Sequence, residues 1–273
     1  MQIYRKYWFQ YDDADMYDIL SNYPKNKEII DQCLSKTDGL GNTKLFYIED
    51  QPVIEMFIKS GGNINHLNNE NENALFSAEY KKSLCLIKNG IDVNVRNNYG
   101  YNAMAEADLD VLRLLVDAGV NIHNKDKNGE NVLFIYNDLG RIEYITQMGL
   151  KSETDIHGNS LLMSATIKDH DALDYLIDNK IVDLDYINDA GHNALYYNIG
   201  PRYTSYSTYL VNKGININNK NAYDGVDVTE LCIRQNNPIL LNLIYEKRSG
   251  YERALLKESL EASCETVKKI KRL

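Results

Sequence analysis

A short sequence motif recurs seven times along this chain, and this repetition limits the possible folds more than any other feature. The motif is clearest as Gly129-Glu130-Asn131-Val132-Leu133-Phe134. Its copies begin at positions 41, 71, 100, 129, 158, 191 and 225, which are 29 to 34 residues apart. A period of this length is typical of solenoids, in which each repeat buries its apolar face only against its neighbours.

A second motif recurs in phase with the first. It reads Gly90-Ile91-Asp92-Val93-Asn94 in one repeat, and its other copies begin at Gly61, Gly119 and Gly214. Between the motifs, as in residues 111–116, apolar residues follow the i, i+3, i+4 spacing of an amphipathic helix. Each repeat is therefore predicted to hold two helices and two turns.

Single positions within the motifs have a physical interpretation. The third residue of the first motif is polar in every copy, and its side-chain oxygen is expected to cap the following helix. These residues are Thr43, Asn73, Asn102, Asn131, Ser160, Asn193 and Asp227. The glycine of the second motif is expected to end the second helix in a left-handed conformation. The motif leucines Leu75, Leu133, Leu162 and Leu195 are predicted to lie in the core.

This unit of turn, helix, helix and turn resembles the ankyrin repeat, whose Thr-Pro-Leu-His and later Gly-Ala-Asp-Val-Asn blocks correspond to the two motifs. In this chain Asn often stands where the family has Thr. Ala or Val stands in place of Pro, and Phe, Met or Tyr stands in place of His. Most early repeats are about three or four residues shorter than the 33-residue consensus, and the missing residues fall between the two helices. The sixth is full length, with an inter-helix stretch over 200–206. The chain resembles the degenerate ankyrin proteins of bacteria, phages and large DNA viruses.

The resemblance implies an all-α ankyrin-repeat solenoid of about seven helix-turn-helix repeats over residues 36–247. A solenoid exposes an apolar face at each end, so terminal caps are expected. Residues 1–35 are predicted to form a helical N-terminal cap, with Pro24 at a helix start. Residues 248–273 are predicted to form a C-terminal capping helix. The basic run from Lys268 to Arg272 is interpreted as charge placement at a helix C-terminus rather than a nucleic-acid or membrane patch.

Charge and composition argue against several function classes. The net charge is −9, and residues 36–247 hold 29 acidic against 19 basic residues, which argues against direct nucleic-acid binding. No signal peptide or stretch of 18 apolar residues is visible, so we expect no membrane association and a cytoplasmic location, in the producing cell or in a host cell after delivery. The cysteines, at positions 33, 85, 232 and 264, are widely spaced and are expected to be buried, reduced thiols.

Enzymatic activity is not expected. The sequence contains no phosphate-binding loop, nucleophile elbow or metalloprotease helix motif. Its five histidines fall at turns or helix junctions, and no pair has the spacing of metal ligands on a helix. We therefore expect no catalytic residues, no cofactor and no metal.

Tyrosine is unusually frequent, with 21 Tyr against 5 Phe and 1 Trp, and its large rigid side chain is favoured at protein interfaces. The resemblance implies that partners contact the turn tips and the exposed side of each first helix. The candidate partner-binding residues at the tips are Tyr99, Tyr101, Asp126, Lys127, Glu130, His157, Asp189, Tyr223 and Asp224. Those expected on first helices are Tyr80 and Tyr197.

These residues predict an acidic, tyrosine-rich concave face suited to a basic partner, because complementary charge speeds association and disfavours wrong partners. The function predicted is a protein–protein interaction module, monomeric when free. We expect an inhibitor that binds and blocks a partner such as a toxin, a nuclease or a defence enzyme. The alternative is an adaptor or secreted effector scaffold that bridges two proteins, which would need a second, unrelated surface.

Overall fold

This computed structural model describes residues 8–22, 25 and 27–248. Across these residues the regular elements are α-helices and short 3-10 helices, and the β-structure is limited to one isolated bridge between Lys220 and Asp227. The chain divides into two compact units, Met1–Lys151 and Ser152–Leu273. Both contain the predicted alternation of turns and helices, so the all-α repeat fold is confirmed.

The first unit holds six α-helices among its described residues. They are α1 (Asp13–Ser21), α2 (Lys27–Leu34), α3 (Gln51–Lys59), α4 (Tyr80–Lys88), α5 (Leu109–Asp117) and α6 (Leu139–Gln147). Its 3-10 helices are Trp8–Gln10, Lys44–Phe46, Ala103–Ala105 and Val132–Phe134. Helices α3 to α6 are the predicted second helices of successive repeats, and their apolar faces supply core residues such as Val53, Leu86, Leu112 and Ile142.

The second unit also holds six described α-helices. They are α7 (Leu161–Ser164), α8 (His170–Asp178), α9 (Ala194–Tyr197), α10 (Thr204–Lys213), α11 (Val228–Arg234) and α12 (Pro238–Lys247). A 3-10 helix, Pro201–Tyr203, precedes α10. Here α7, α9 and α11 are first helices, and α8, α10 and α12 are second helices.

Helices α1 and α2 lie within the predicted N-terminal cap, and α1 packs against α3 of the first repeat. The Asp13 carboxylate accepts the backbone N–H groups of Glu49 at 3.0 Å and Asp50 at 2.6 Å. These bonds tie the start of α1 to the turn that precedes α3. The predicted helix start at Pro24, the capping helix beyond Arg248 and Cys264 lie outside the described residues. The proposed domain boundaries stay a prediction.

The predicted first helices are much shorter than expected in the first unit, where they are 3-10 helices of three residues or, over 74–77, a single turn. So short an element leaves backbone carbonyl groups without intrahelical partners. The next repeat supplies polar side chains instead. The Tyr136 hydroxyl donates to the Met104 carbonyl at 2.8 Å, and the Lys82 ammonium donates to the Phe46 carbonyl at 2.8 Å.

The predicted capping role is confirmed at several positions. The side-chain oxygen accepts a backbone N–H from the following turn at Asn73, Asn102, Asn131, Asn193 and Asp227. The amide of Asn102 also donates to the Asn121 carbonyl at 3.1 Å, and that of Asn131 to the Lys151 carbonyl at 3.0 Å. An amide combines an acceptor with two N–H donors, which explains why Asn stands where the family has Thr. Thr43 makes no capping bond.

The glycines of the second motif adopt the predicted left-handed conformation, with φ of +84° at Gly90 and Gly119 and +97° at Gly214. The four predicted core leucines are at most 2% exposed. The described cysteines, Cys33, Cys85 and Cys232, are buried as expected. Among the residues that the structure describes, no helix has the length and apolarity needed to cross a membrane.

Candidate functional site

The turn tips are built by an Asp or Asn placed three residues before the first position of the first motif, which is Gly in every such copy except at Asn71. The Asp126 carboxylate accepts the backbone N–H groups of Asn128 and Glu130, both at 2.8 Å. The Asn97 side-chain oxygen accepts those of Tyr99 and Tyr101, both at 3.1 Å. The same pair of bonds is made by Asp38, Asn68, Asp155 and Asn188. Each tip is therefore a rigid loop held by its own side chain.

Successive tips are joined through their backbones. In the first unit, the N–H of Asn98 donates to the Glu70 carbonyl at 2.8 Å, and that of Lys127 donates to the Tyr99 carbonyl at 3.0 Å. Asn69 donates in the same way to the Leu40 carbonyl at 3.0 Å. We call the exposed side chains carried by this bonded series the tip row. It consists of Leu40, Glu70, Tyr99 and Lys127.

Two of the predicted binding residues belong to the framework of the tips rather than to their surface. Asp126 is only 8% exposed, and its carboxylate is occupied by the turn that it forms. Tyr101 is half-buried, and burial together with the charge and hydrogen bond of Asp126 raises the pKa of its hydroxyl. The expectation that Asp126 presents an outward charge is therefore corrected. Its position before Gly129 is the sequence signal that indicates the turn-forming role.

The remaining tip candidates, apart from Glu130, project from the surface. Tyr99 is 64% exposed and lies next to Lys127 through the backbone bond between their tips. In the second unit Tyr223 is 81% exposed. The exposed candidates beside it and elsewhere in that unit are His157, Asp189 and Asp224. Glu130, in the first unit, is half-buried.

The two tyrosines expected on first helices differ in position. Tyr197 ends the first helix α9, is 43% exposed, and accepts a hydrogen bond from the Asn188 amide at 3.0 Å. Tyr80 is 45% exposed but begins α4, which is a second helix, so the expected first-helix position of Tyr80 is wrong. The cause is the shortening of this repeat, which brings the second helix close behind a single turn.

A groove beside the tip row was not foreseen from the sequence. It is a cavity of about 330 Å³ in the first unit, with Phe46 and Phe76 among its lining residues and Glu70 and Glu72 beside them. The phenylalanines occupy the motif position where the family has His, and this difference is the sequence signal of an apolar wall. Burial raises the pKa of Glu106, and repulsion from the negative charge of Glu72 raises it further.

The groove is suited to a side chain with an apolar stem and a positive end, since such chains pack their methylene groups on apolar surface and keep the charge at the rim. Over the part of the chain that the structure describes, no cluster of His, Cys, Asp and Glu residues is arranged to hold a metal ion.

No protein-family model and no curated protein matches the chain. Solved structures do match. The ankyrin repeat domain of human ASB11 is 14% identical, with a TM-score of 0.59 over 76% of this chain and 96% of that domain. The structure of the Bd0816 predatory endopeptidase from Bdellovibrio bacteriovorus in complex with immunity protein Bd3460 contains a chain 21% identical, with a TM-score of 0.52. That match covers 65% of this chain and all of the other. The chain has the ankyrin-repeat fold.

Proposed function

We propose that this chain is a protein-binding module that inhibits a basic partner protein stoichiometrically through the tip row and the adjoining groove. The observation that carries the proposal is the bonded series of tips. It holds large exposed side chains such as Tyr99 on a backbone that is already fixed before binding. A preformed surface loses little conformational entropy on association, and exposed tyrosines supply the contact area typical of binding hot spots.

The chemistry of the groove favours a basic partner. Glu70 and Glu72 stand beside an apolar cavity in a chain of net charge −9. A Lys or Arg side chain of the partner fits between Phe46 and Phe76 with its charge near these carboxylates. Toxins, nucleases and defence enzymes that act on nucleic acids present such basic surfaces, because their substrates are anionic.

One of the solved neighbours supports inhibition over other uses of the fold. It comes from the structure of an endopeptidase in complex with an immunity protein. By analogy, a chain of this size and fold acts by covering a functional surface of its partner. The adaptor alternative needs two separate docking surfaces.

The experiment begins with affinity capture of the partner on the wild-type chain, followed by titration of the isolated pair. Tyr99→Ala combined with Glu70→Lys is expected to weaken binding by roughly 2 kcal/mol or more, which is about thirtyfold, with little change in melting temperature. Tyr17→Ala is the matched control, since Tyr17 is 46% exposed in the same unit but lies on α1, away from the tips.

Three results together test the proposal. The captured protein should be basic, its activity should reach zero at one equivalent of this chain, and Glu70→Lys alone should reduce the salt dependence of association. Undiminished binding by the tip double variant, or a partner whose activity is unaffected at saturation, would contradict it. Tyr101 and Asp126 are left unchanged in this test because replacing either would disturb a tip.

A further inference from the structure

The full-length inter-helix stretch of the sixth repeat forms a fixed ridge in the second unit. It folds as the 3-10 helix Pro201–Tyr203, which leads directly into α10. The Thr204 hydroxyl donates to the Pro201 carbonyl at 2.8 Å and accepts a hydrogen bond from the Asn237 amide at 3.0 Å. The ridge is thus anchored to Asn237, the residue that caps the start of α12.

Two cavities flank this ridge. One, of about 570 Å³, is lined by the ridge together with Tyr196, Tyr197 and Leu231. The other, of about 480 Å³, is lined by the ridge together with Ile167, Lys168 and His170. Arg202 and Tyr203 line both cavities, so one guanidinium group stands between two partly apolar spaces.

The charge at the ridge is opposite to that of the chain as a whole. Arg202 is exposed, with its guanidinium carbon 4.6 Å from the centre of the Tyr203 ring, and no carboxylate among the described residues pairs with it. Two carboxylates elsewhere in this unit are engaged with other cations. Asp174 binds Lys213, and Glu230 binds Arg234.

We propose that the ridge Pro201–Tyr203 is a docking site for an acidic segment of a protein partner. A carboxylate of the segment pairs with Arg202, and apolar side chains on either side of it enter the two cavities. Arginine suits this role because its planar guanidinium binds a carboxylate through two parallel hydrogen bonds while it stacks on an aromatic ring. Lys168 adds a second cation to the lining of one cavity.

Charge decides between possible occupants. Nucleic acid is disfavoured because the chain carries a net charge of −9 and its basic groups here are few. The chain's own residues 248–273 include seven basic and four acidic residues, so they do not supply an acidic segment. An acidic protein segment remains, and this inference does not depend on the proposed inhibition through the tip row. A docking site on the ridge would give the chain a second docking surface, opposite in charge to the first. The alternative function, an adaptor that bridges two proteins, requires two such separate surfaces.

The test is a selection of phage-displayed random peptides of about 12 residues on the full chain, with counter-selection on Arg202→Glu. The expected consensus places Asp or Glu between Leu, Ile or Phe residues. A synthetic peptide of that sequence should bind the wild type at least about tenfold more tightly than it binds Arg202→Glu or Arg202→Gln. Lys168→Glu should weaken binding in the same direction.

Lys180→Glu is the matched control, because Lys180 is an exposed cation of the same unit that lines neither cavity. All variants should keep the wild-type far-UV spectrum and melting temperature, and Arg202→Gln carries the comparison if charge reversal alters folding. The proposal is overturned if the selection yields no acidic and apolar consensus, or if the selected peptide binds the Arg202 variants as well as the wild type. Tighter, Arg202-dependent binding of an oligothymidine would overturn it in favour of a nucleic-acid site.

Discussion

Removing one hydroxyl group tests how the shortened repeats satisfy their backbone. Tyr136 is fully buried, and its hydroxyl donates a 2.8 Å hydrogen bond to the Met104 carbonyl of the preceding repeat. Tyr136→Phe keeps the ring, and therefore the packing of the Arg141 guanidinium 4.5 Å above it, but removes the donor. The change isolates a single bond between repeats.

The expected cost follows from what the carbonyl retains. A hydrogen bond contributes about 0.5–1.5 kcal/mol net, and a buried group left wholly unpaired costs about 1–3 kcal/mol. The Met104 carbonyl still accepts the Ala107 N–H at 3.3 Å. The substitution therefore leaves this carbonyl with one long hydrogen bond rather than with none. We therefore expect Tyr136→Phe to lower the free energy of unfolding by about 1–1.5 kcal/mol, which is a fall of roughly 2–6 °C in melting temperature.

The assay is urea unfolding followed by circular dichroism, with the slope of free energy against denaturant expected to stay constant. Tyr144→Phe is the control, because Tyr144 lies on α6 in the same repeat and its hydroxyl has no hydrogen-bond partner among the described residues. It should change stability by less than about 0.5 kcal/mol. Equal effects of the two substitutions would refute the idea that Tyr136 completes the shortened repeat.

Three further predictions concern the tips and the sixth repeat. Gly100→Ala should lower the free energy of unfolding, measured in urea, by at least about 1 kcal/mol more than Gly119→Ala does. Both positions have positive φ, but only at Gly100 would the new Cβ lie 3.1 Å from the backbone of the next tip. Asp126→Ala should lower stability by about 1–2 kcal/mol and Asp126→Asn by less, since Asn forms the same turn at Asn68, Asn97 and Asn188. Burial lowers the pKa of His192 below its usual 6.5. Near this pH the unfolded chain therefore binds a proton more readily than the folded chain does, and the free energy of unfolding should fall as the pH drops through 6.5. The loss measured by urea unfolding should be smaller in His192→Gln, and an unchanged pH profile would contradict this assignment.

Local patterns in the sequence predict the parts of the fold that local contacts determine. The period, the capping at Asn102 and Asn131, and the left-handed Gly90 and Gly119 all depend on interactions within or between adjacent turns. The candidate site was predicted less completely. Whether a polar side chain such as Asp126 faces solvent depends on whether neighbouring backbone N–H groups donate hydrogen bonds to it. The repeat pattern alone does not show this.

The length of an element is equally hard to read from a motif. The sequence shows that residues are missing between the two helices of the early repeats, but not which helix gives way. In the structure the first helix contracts to a turn, and this change moves Tyr80 onto α4. When a shortened repeat is aligned with the longer ankyrin consensus, the residues after the deletion are therefore assigned to the wrong helix.

The departures from the ankyrin consensus are best understood as compensation for this contraction. Lys82 is 1% exposed, and burial lowers the pKa of its ammonium group, partly opposed by Glu49, which accepts its second hydrogen bond at 3.1 Å. A lysine is held there at such a cost because the Phe46 carbonyl needs a donor, and in another shortened repeat Tyr136 serves the Met104 carbonyl in the same way at 2.8 Å. Chemically different side chains thus perform one task, which is to donate to the short 3-10 helix of the preceding repeat. Conservation of residue type is unnecessary as long as a donor reaches the carbonyl, so a chain can lose the family's sequence signature while each repeat stays tied to the next.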